Sequence, residues 1–338
     1  MTLNNLINFH KNPIHSLITL LLYISIPSQA QLPQGEGLAA QFPSDKNIAK
    51  HPAVIFAEDF EQGDIQAIAK RWSSATTRHA SILTLDKTHR PFNIGKHSLK
   101  ITATRNQDTG GHLYKKLTRP VDTAFARFYV YFPQKAQYIH HFTHFGGYNP
   151  ATNWPQGGAG EKPRGNDRIT VGIEPFGQSG RLPAPGHWNF YAYWHKMKVS
   201  ARNKYWGNSI QPIIPQPAKP GKWQCVEMMI KLNTPNRPDG ELALWLDGKL
   251  VGHFKKGIHT TKWTGMGFKQ LNEGGETFPG FNFRNSSKLK LNFFWLLHYV
   301  TDSNDRRNRI NSPPETNPVW FDNIVVAEKY IGPIKIKK

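Results

Sequence analysis

Apolar and polar residues alternate with a period of two through about a dozen short segments, and almost no stretch repeats with the 3.6-residue period of a helix. The segments AFARFYVYF (124–132), WQCVEMMIKLN (223–233), LKLNFFWLLHYV (289–300) and VWFDNIVVAEKYI (319–331) carry the pattern most fully. Gly, Pro and Asn punctuate it, as strand connections require. One exception, GDIQAIAKRW (63–72), reads as a short helical turn. Many half-buried strands can hide their apolar faces only against one another, so the chain is expected to be all-β: an antiparallel β-sandwich or jelly roll. Within LALWLDGKLVGHF, Asp247-Gly248 separates two alternating runs and predicts a tight two-residue hairpin.

Residues 1–30 stand outside this pattern. Lys11 precedes the apolar run LITLLLYISI, and Ser28 to Ala30 offer the small residues at which a signal peptidase cuts, so an export signal cleaved after Ala30 is expected. The run is shorter than the roughly 20 residues a membrane span needs. Residues 31–50 read as an N-terminal linker and 51–338 as one jelly-roll domain. Cys225 is the single cysteine, which excludes an intramolecular disulfide and reads as a buried structural thiol.

Lysine and arginine number 43 against 23 acidic residues. Such an excess favours a polyanionic partner, and for a monomeric protein in the periplasm or outside the cell that partner is an anionic polysaccharide and not nucleic acid. Two long irregular segments, 146–167 and 199–222, are rich in Trp, Tyr, Lys and Arg, including Lys162, Arg164 and Trp206. Loops of that length inside a domain are usually functional, and they are expected to wall a groove, with Lys162, Arg164, Lys196, Lys198, Arg202 and Lys204 as its basic rim.

The segment HWNFYAYWHKM (187–197) places Asn189, Tyr191, Tyr193 and His195 on one face of a strand and Trp188, Phe190, Ala192 and Trp194 on the other. The first face suits sugar contact or chemistry; it also suits ordinary half-buried tyrosines. Arg127, Tyr129 and Tyr131 form a comparable face on 124–132, opposite an apolar Phe128, Val130 and Phe132. In YIHHFTHF, strict alternation would put His141 and His144 on opposite sides, and His140 and His144 about 13 Å apart, too far for shared metal ligands.

FAEDFE near the start, GKHSLKI, the block from Pro220 to Val251 and VWFDNIVVAEKYIGPI resemble, in this order, the concanavalin A-like jelly-roll polysaccharide lyases of the alginate and glucuronan type. The resemblance implies a groove on a concave sheet in which a uronate polymer is cleaved by β-elimination, without a catalytic cofactor. Such a reaction needs a base at C5, an acid at the leaving oxygen, and donors that neutralise the C6 carboxylate. The family-like Tyr-x-Tyr pair is matched by Tyr191 and Tyr193. Where alginate lyases of this kind carry a lysine shortly before Gly-Gly, this chain has His140, His141 and His144.

The implied catalytic set is therefore Tyr191, Tyr193, His141, His144 and Arg168, the last able to clamp a carboxylate. Asn189, His195, Arg127, Tyr129, Lys162, Arg164, Lys196 and Trp206 are expected to bind substrate. A basic role for tyrosine requires neighbouring cations to lower its pKa. Glu58 and Asp59 near the first strand and Asp322 in the last meet if the terminal strands lie side by side, and their oxygens suit a structural calcium ion. Two alternatives stand beside the lyase: a non-catalytic, lectin-like binding protein using the same aromatics, and a glycoside hydrolase, which needs a carboxylate pair that Glu174, Glu227 and Glu241 on separate strands do not obviously supply.

Overall fold

The computed structural model describes residues 31–309 and 315–336, apart from the side chains of residues 302, 305 and 309. The leader expected over 1–30 lies outside the described residues. Pro33–Lys338 forms one compact unit, and no helix among the described residues is long and apolar enough to cross a membrane.

Two sheets make the sandwich. The first runs in the order Lys249–Phe254, Glu241–Leu246, Trp223–Lys231, Thr123–Tyr131, Thr316–Ala327, Ser98–Thr104, Leu83–Asp86, with Val54–Glu58 also pairing along Thr316–Ala327. The second runs Glu276–Thr277, His259–Thr260, Gly267–Leu271, Asn208–Gln211, His187–Tyr193, Arg168–Phe176, Thr143–Tyr148, Leu291–Tyr299, Gly110–Val121, Ser74–Ala75. Pairing is antiparallel except between Asn208–Gln211 and Gly267–Leu271. The all-β jelly roll expected from the alternation is what forms.

Inward-facing residues of both sheets interdigitate. Phe128, Val130 and Phe132 meet Trp188, Phe190, Ala192 and Trp194, all at most 2% exposed. Phe142 packs among Phe128, Trp188 and Phe321 with ring centroids 6.4, 6.0 and 5.1 Å away, so truncating it to alanine would cost about 3–5 kcal/mol. The hairpin falls at Asp247-Gly248 with φ of 51° and 79°, the pair of positive values a type I′ turn demands. The short helix forms over Ile65–Arg71, where the Asp64 carboxylate accepts from the Ala67 N–H at 2.8 Å.

Three readings need correction. The segment 31–50, expected as a linker, packs on the sandwich from Leu38 on: Leu38, Ala39 and Ile48 are buried, the Ala39 N–H donates to the Ile331 carbonyl, and Asp45 pairs with Arg127. A helix at Asp302–Arg309 has no apolar stripe and so leaves no periodic signal; it docks through amides, Asn304 Nδ2 on the Ile139 carbonyl and Asn308 Oδ1 accepting from the Tyr138 N–H. Finally, YIHHFTHF is extended only from Thr143, and the chain bends at His140.

Candidate active site

Strand register builds the site. One row crosses the second sheet as Trp295, His144, Gly172, Tyr191 and Ser209, each directly opposite the next. Side chains of one cross-strand row share a face, here the face turned away from the core. Two residues further along Arg168–Phe176 and His187–Tyr193, Glu174 stands opposite Asn189 on the same face. Gly172 lets the row close up: a Cβ there would lie 3.0 Å from His144 Nε2, so a side chain would push the imidazole aside by a few tenths of an ångström.

The bend at His140 brings His141 over this row. Its backbone exchanges hydrogen bonds with Tyr299, 3.2 and 3.0 Å, and its ring lies 5.0 Å from Tyr191 and 5.8 Å from His144 between centroids. Its Nδ1 meets Glu174 Oε2 at 3.2 Å. Alternation misplaced this pair because it assumed a regular strand; the bend puts His141 and His144 on the same side. A cleft of about 220 Å³ results, lined by Tyr138, His140, His141, Glu174, Asn189, Tyr191, Ser209 and Arg307 among others.

The Tyr191 and Tyr193 hydroxyls lie 3.3 Å apart, close enough to share a hydrogen bond. Burial above all, then Tyr193 and Glu174, pushes the Tyr191 phenol pKa well above its ordinary value of 10.0. The cations that a basic tyrosine requires are therefore not at hand: Tyr193, Glu174 and the His141 ring are the neighbours, and the phenol stays protonated. Burial and His141 hold His144 down at about 3, so its imidazole is neutral, and its Nδ1 donates to the Phe142 carbonyl at 2.7 Å. Asn189 is buried, with Nδ2 on Ser209 Oγ at 2.7 Å and Oδ1 lacking a hydrogen-bond partner.

Not every expected residue arrives here. Arg168 is no free clamp: its guanidinium donates to the Gly158 and Glu161 carbonyls at 3.0 and 2.7 Å and ties down the 146–167 loop. His195 lies beyond the cleft, packed beneath Gly165 with burial lowering its pKa. Lys162 stands over the Tyr205 ring at 5.5 Å, Arg164 pairs with Asp167, and Lys196 and Trp206 are exposed, all around the loops as a rim. A backbone bridge between Gly160 and Tyr205 joins the two loops, and Gly207 lies so near Tyr191 that a Cβ would fall 2.6 Å from its ring.

Arg127 and Tyr129 belong to the other sheet and bind no groove. Arg127 is fully buried, paired with Asp45 and donating to the Gly332 and Asn323 carbonyls; the Tyr129 hydroxyl accepts from the Ile334 N–H at 2.9 Å. The three carboxylates expected to hold calcium do not gather as one ligand group. Val54–Glu58 and Thr316–Ala327 do pair, and a hollow of about 440 Å³ opens beside Asp45, Glu58 and Asp59, but Arg71 and Trp72 occupy the Glu58 carboxylate and the Asp322 Oδ1 accepts from the Asn323 N–H. Among the described residues, Glu58, Asp59 and Asp322 form no ligand group, whereas His141, His144 and Glu174 do, with ligand atoms all within 4.8 Å of one another.

Sequence reasoning set Glu174 aside as an isolated carboxylate and missed Ser209 and Arg307. The signal for Glu174 was its even spacing from Arg168, which puts both on one face; Arg307 sits on the helix that carries no periodicity.

The sequence matches no protein-family model and no curated protein. Among solved structures it is similar to the PL-14 alginate lyase from Aplysia kurodai, 14% identical over 81% of this chain and 98% of that one with a TM-score of 0.52. It is similar as well to the alginate lyase vAL-1 from Chlorella virus, 13% identical over 82% of this chain and 100% of that one with a TM-score of 0.50. The fold is thus a concanavalin A-like β-sandwich shared with these structures, the fold that the order of motifs implied.

Proposed function

We propose that the cleft is the active site of a polysaccharide lyase that opens a uronate-containing polymer by β-elimination. The observation carrying this reading is the convergence of Tyr191 and His141 in one concave cleft, with the Tyr193 hydroxyl behind them 3.3 Å from that of Tyr191. In the reaction the C5–H bond breaks, its electron pair forms the C4–C5 double bond, the C4–O bond breaks, and the leaving oxygen takes a proton. Tyr191, whose raised pKa keeps it protonated, suits donation to that oxygen. Tyr193 and His141, both beside Tyr191, are the groups placed to receive the C5 proton. Asn189 and Arg307 line the floor and wall where the C6 carboxylate would rest.

The exposed Lys162, Arg164 and Lys196 hold the flanking polymer, in keeping with a formal net charge of +20. The protein would act as an exported monomer, in the periplasm or beyond. Glu174 is the one carboxylate lining the cleft among the described residues, so the pair that a hydrolase uses is not assembled.

Incubation of the mature protein with alginate, polyglucuronate and polygalacturonate, followed by ultraviolet absorbance of unsaturated ends, tests the proposal. Rising absorbance supports it. Binding without absorbance on every polymer makes the cleft a lectin-like site, and new reducing ends without absorbance make it a hydrolase.

A further inference from the structure

We propose that His141, His144 and Glu174 bind a divalent transition ion of the zinc class, and that a uronate carboxylate of the substrate seats on it. The second half rests on the lyase reading; the first stands alone.

The donors are placed as ligands. His141 Nδ1 and Glu174 Oε2 are 3.2 Å apart, near the roughly 3.3 Å edge of a tetrahedron whose bonds are about 2.0–2.1 Å. His144 completes a set whose ligand atoms lie within 4.8 Å. Its Nδ1 donates to the Phe142 carbonyl, which fixes the tautomer and leaves Nε2 as the lone-pair nitrogen, the outer-shell arrangement typical of metal-bound histidine. Opposite that nitrogen stands Gly172, where any Cβ would lie 3.0 Å from Nε2. His144 and Glu174 project from adjacent paired strands, Thr143–Tyr148 and Arg168–Phe176, and His141 is pinned by its two backbone bonds to Tyr299.

Two imidazoles and one carboxylate suit zinc, cobalt or nickel better than calcium or magnesium. Three protein ligands leave a coordination position open toward the cleft, as catalytic sites do. The charge balance points the same way. A carboxylate only 5% exposed lines a cleft meant for an anionic sugar and would repel it; a dication between Glu174 and the uronate turns repulsion into a bridge. His141 as a ligand would leave proton transfer to the Tyr191–Tyr193 pair.

The mature protein, stripped with a chelator and dialysed, would be titrated with Co²⁺ and then Zn²⁺. Expected are one equivalent of Co²⁺ with visible d–d absorption, its displacement by Zn²⁺, and a higher unfolding temperature with Zn²⁺. His144→Ala and Glu174→Gln should each weaken Co²⁺ binding by more than about 100-fold, beyond the 10–100-fold typical of an outer-shell change, while His140→Ala leaves it intact. Absence of the spectrum in the wild-type protein, or its persistence in both ligand variants, overturns the site. If the stripped protein in chelator still yields unsaturated ends at full rate, the metal's role falls and the lyase stands. If the loaded protein binds one ion yet yields no unsaturated ends on any uronate polymer, the ion site stands and the lyase falls.

Discussion

On Thr123–Tyr131, Arg127 and Tyr129 point away from the sandwich core, just as Asn189 and Tyr191 do on His187–Tyr193. Read as strands, the two faces carry the same promise of polar and aromatic side chains. Their coverings differ. Over the first lie two segments distant along the chain: Asp45 pairs with Arg127, the Ile334 N–H donates to the Tyr129 hydroxyl, and the Ile331 and Gly332 N–H groups donate to the Glu227 carboxylate at 2.7 and 2.8 Å. Over the second, the His140 bend and the Gly207 segment approach Tyr191 but leave a cleft. A polar face becomes a site only where nothing in the chain satisfies it.

The largest effect should separate the two faces by chemistry. Tyr191→Phe removes the proton donor and should lower kcat by about 10²–10⁴-fold with the unfolding midpoint nearly unchanged. The matching change Tyr129→Phe should leave kcat alone and cost about 1 kcal/mol, one hydrogen bond. If steady-state rates of Tyr191→Phe match wild type, the cleft is not catalytic through this hydroxyl.

Next comes stability on the covered face. Arg127→Ala strands Asp45 as a buried, unpaired charge, and denaturant unfolding should show a loss of about 3–5 kcal/mol. The folded fraction should keep its KM, since no groove residue is touched. A changed KM would mean that the two faces communicate.

Glu227 gives the covered face a pH signature. Burial raises its pKa from 4.5 to about 7, against the lowering effect of the Ile331 and Gly332 N–H groups. Its proton is therefore held more tightly in the folded state than in the unfolded one. The associated stability is full below pH 4.5 and declines as pH rises through about 7. Glu227→Gln, measured by urea midpoints across that window, should flatten this slope; an unchanged slope assigns it to other groups.

Smallest is the rim. Replacing Lys162 and Lys196 by glutamine should weaken polymer binding only a few-fold and make it less sensitive to salt, because exposed charges are well screened. A collapse of kcat in this double variant would move the chemistry toward the loops.

Much of the fold was legible. The inward set of Trp188, Phe190, Ala192 and Trp194 and the turn at Asp247-Gly248 follow from period-two alternation and positive-φ turn chemistry, both local properties. Tyr191 and Tyr193 were legible as a pair for the same reason. The helix Asp302–Arg309 was not, since its docking uses Asn304 and Asn308 and leaves no apolar stripe. Arg168 misled because a guanidinium able to clamp a carboxylate is equally able to bind two backbone carbonyls of its own loop.

The sequence by itself determined the sandwich, the buried Cys225 and which residues of each strand share a face, because these depend on the chain's own periodicity. Only the tertiary structure decided which polar face is open. Register set His144, Gly172 and Tyr191 in one row, a bend at His140 turned His141 onto Glu174, and segments around Asp45 and Gly332 closed over Arg127. Each joins residues far apart along the chain, and no local pattern encodes which distant group will satisfy a given donor or leave it free.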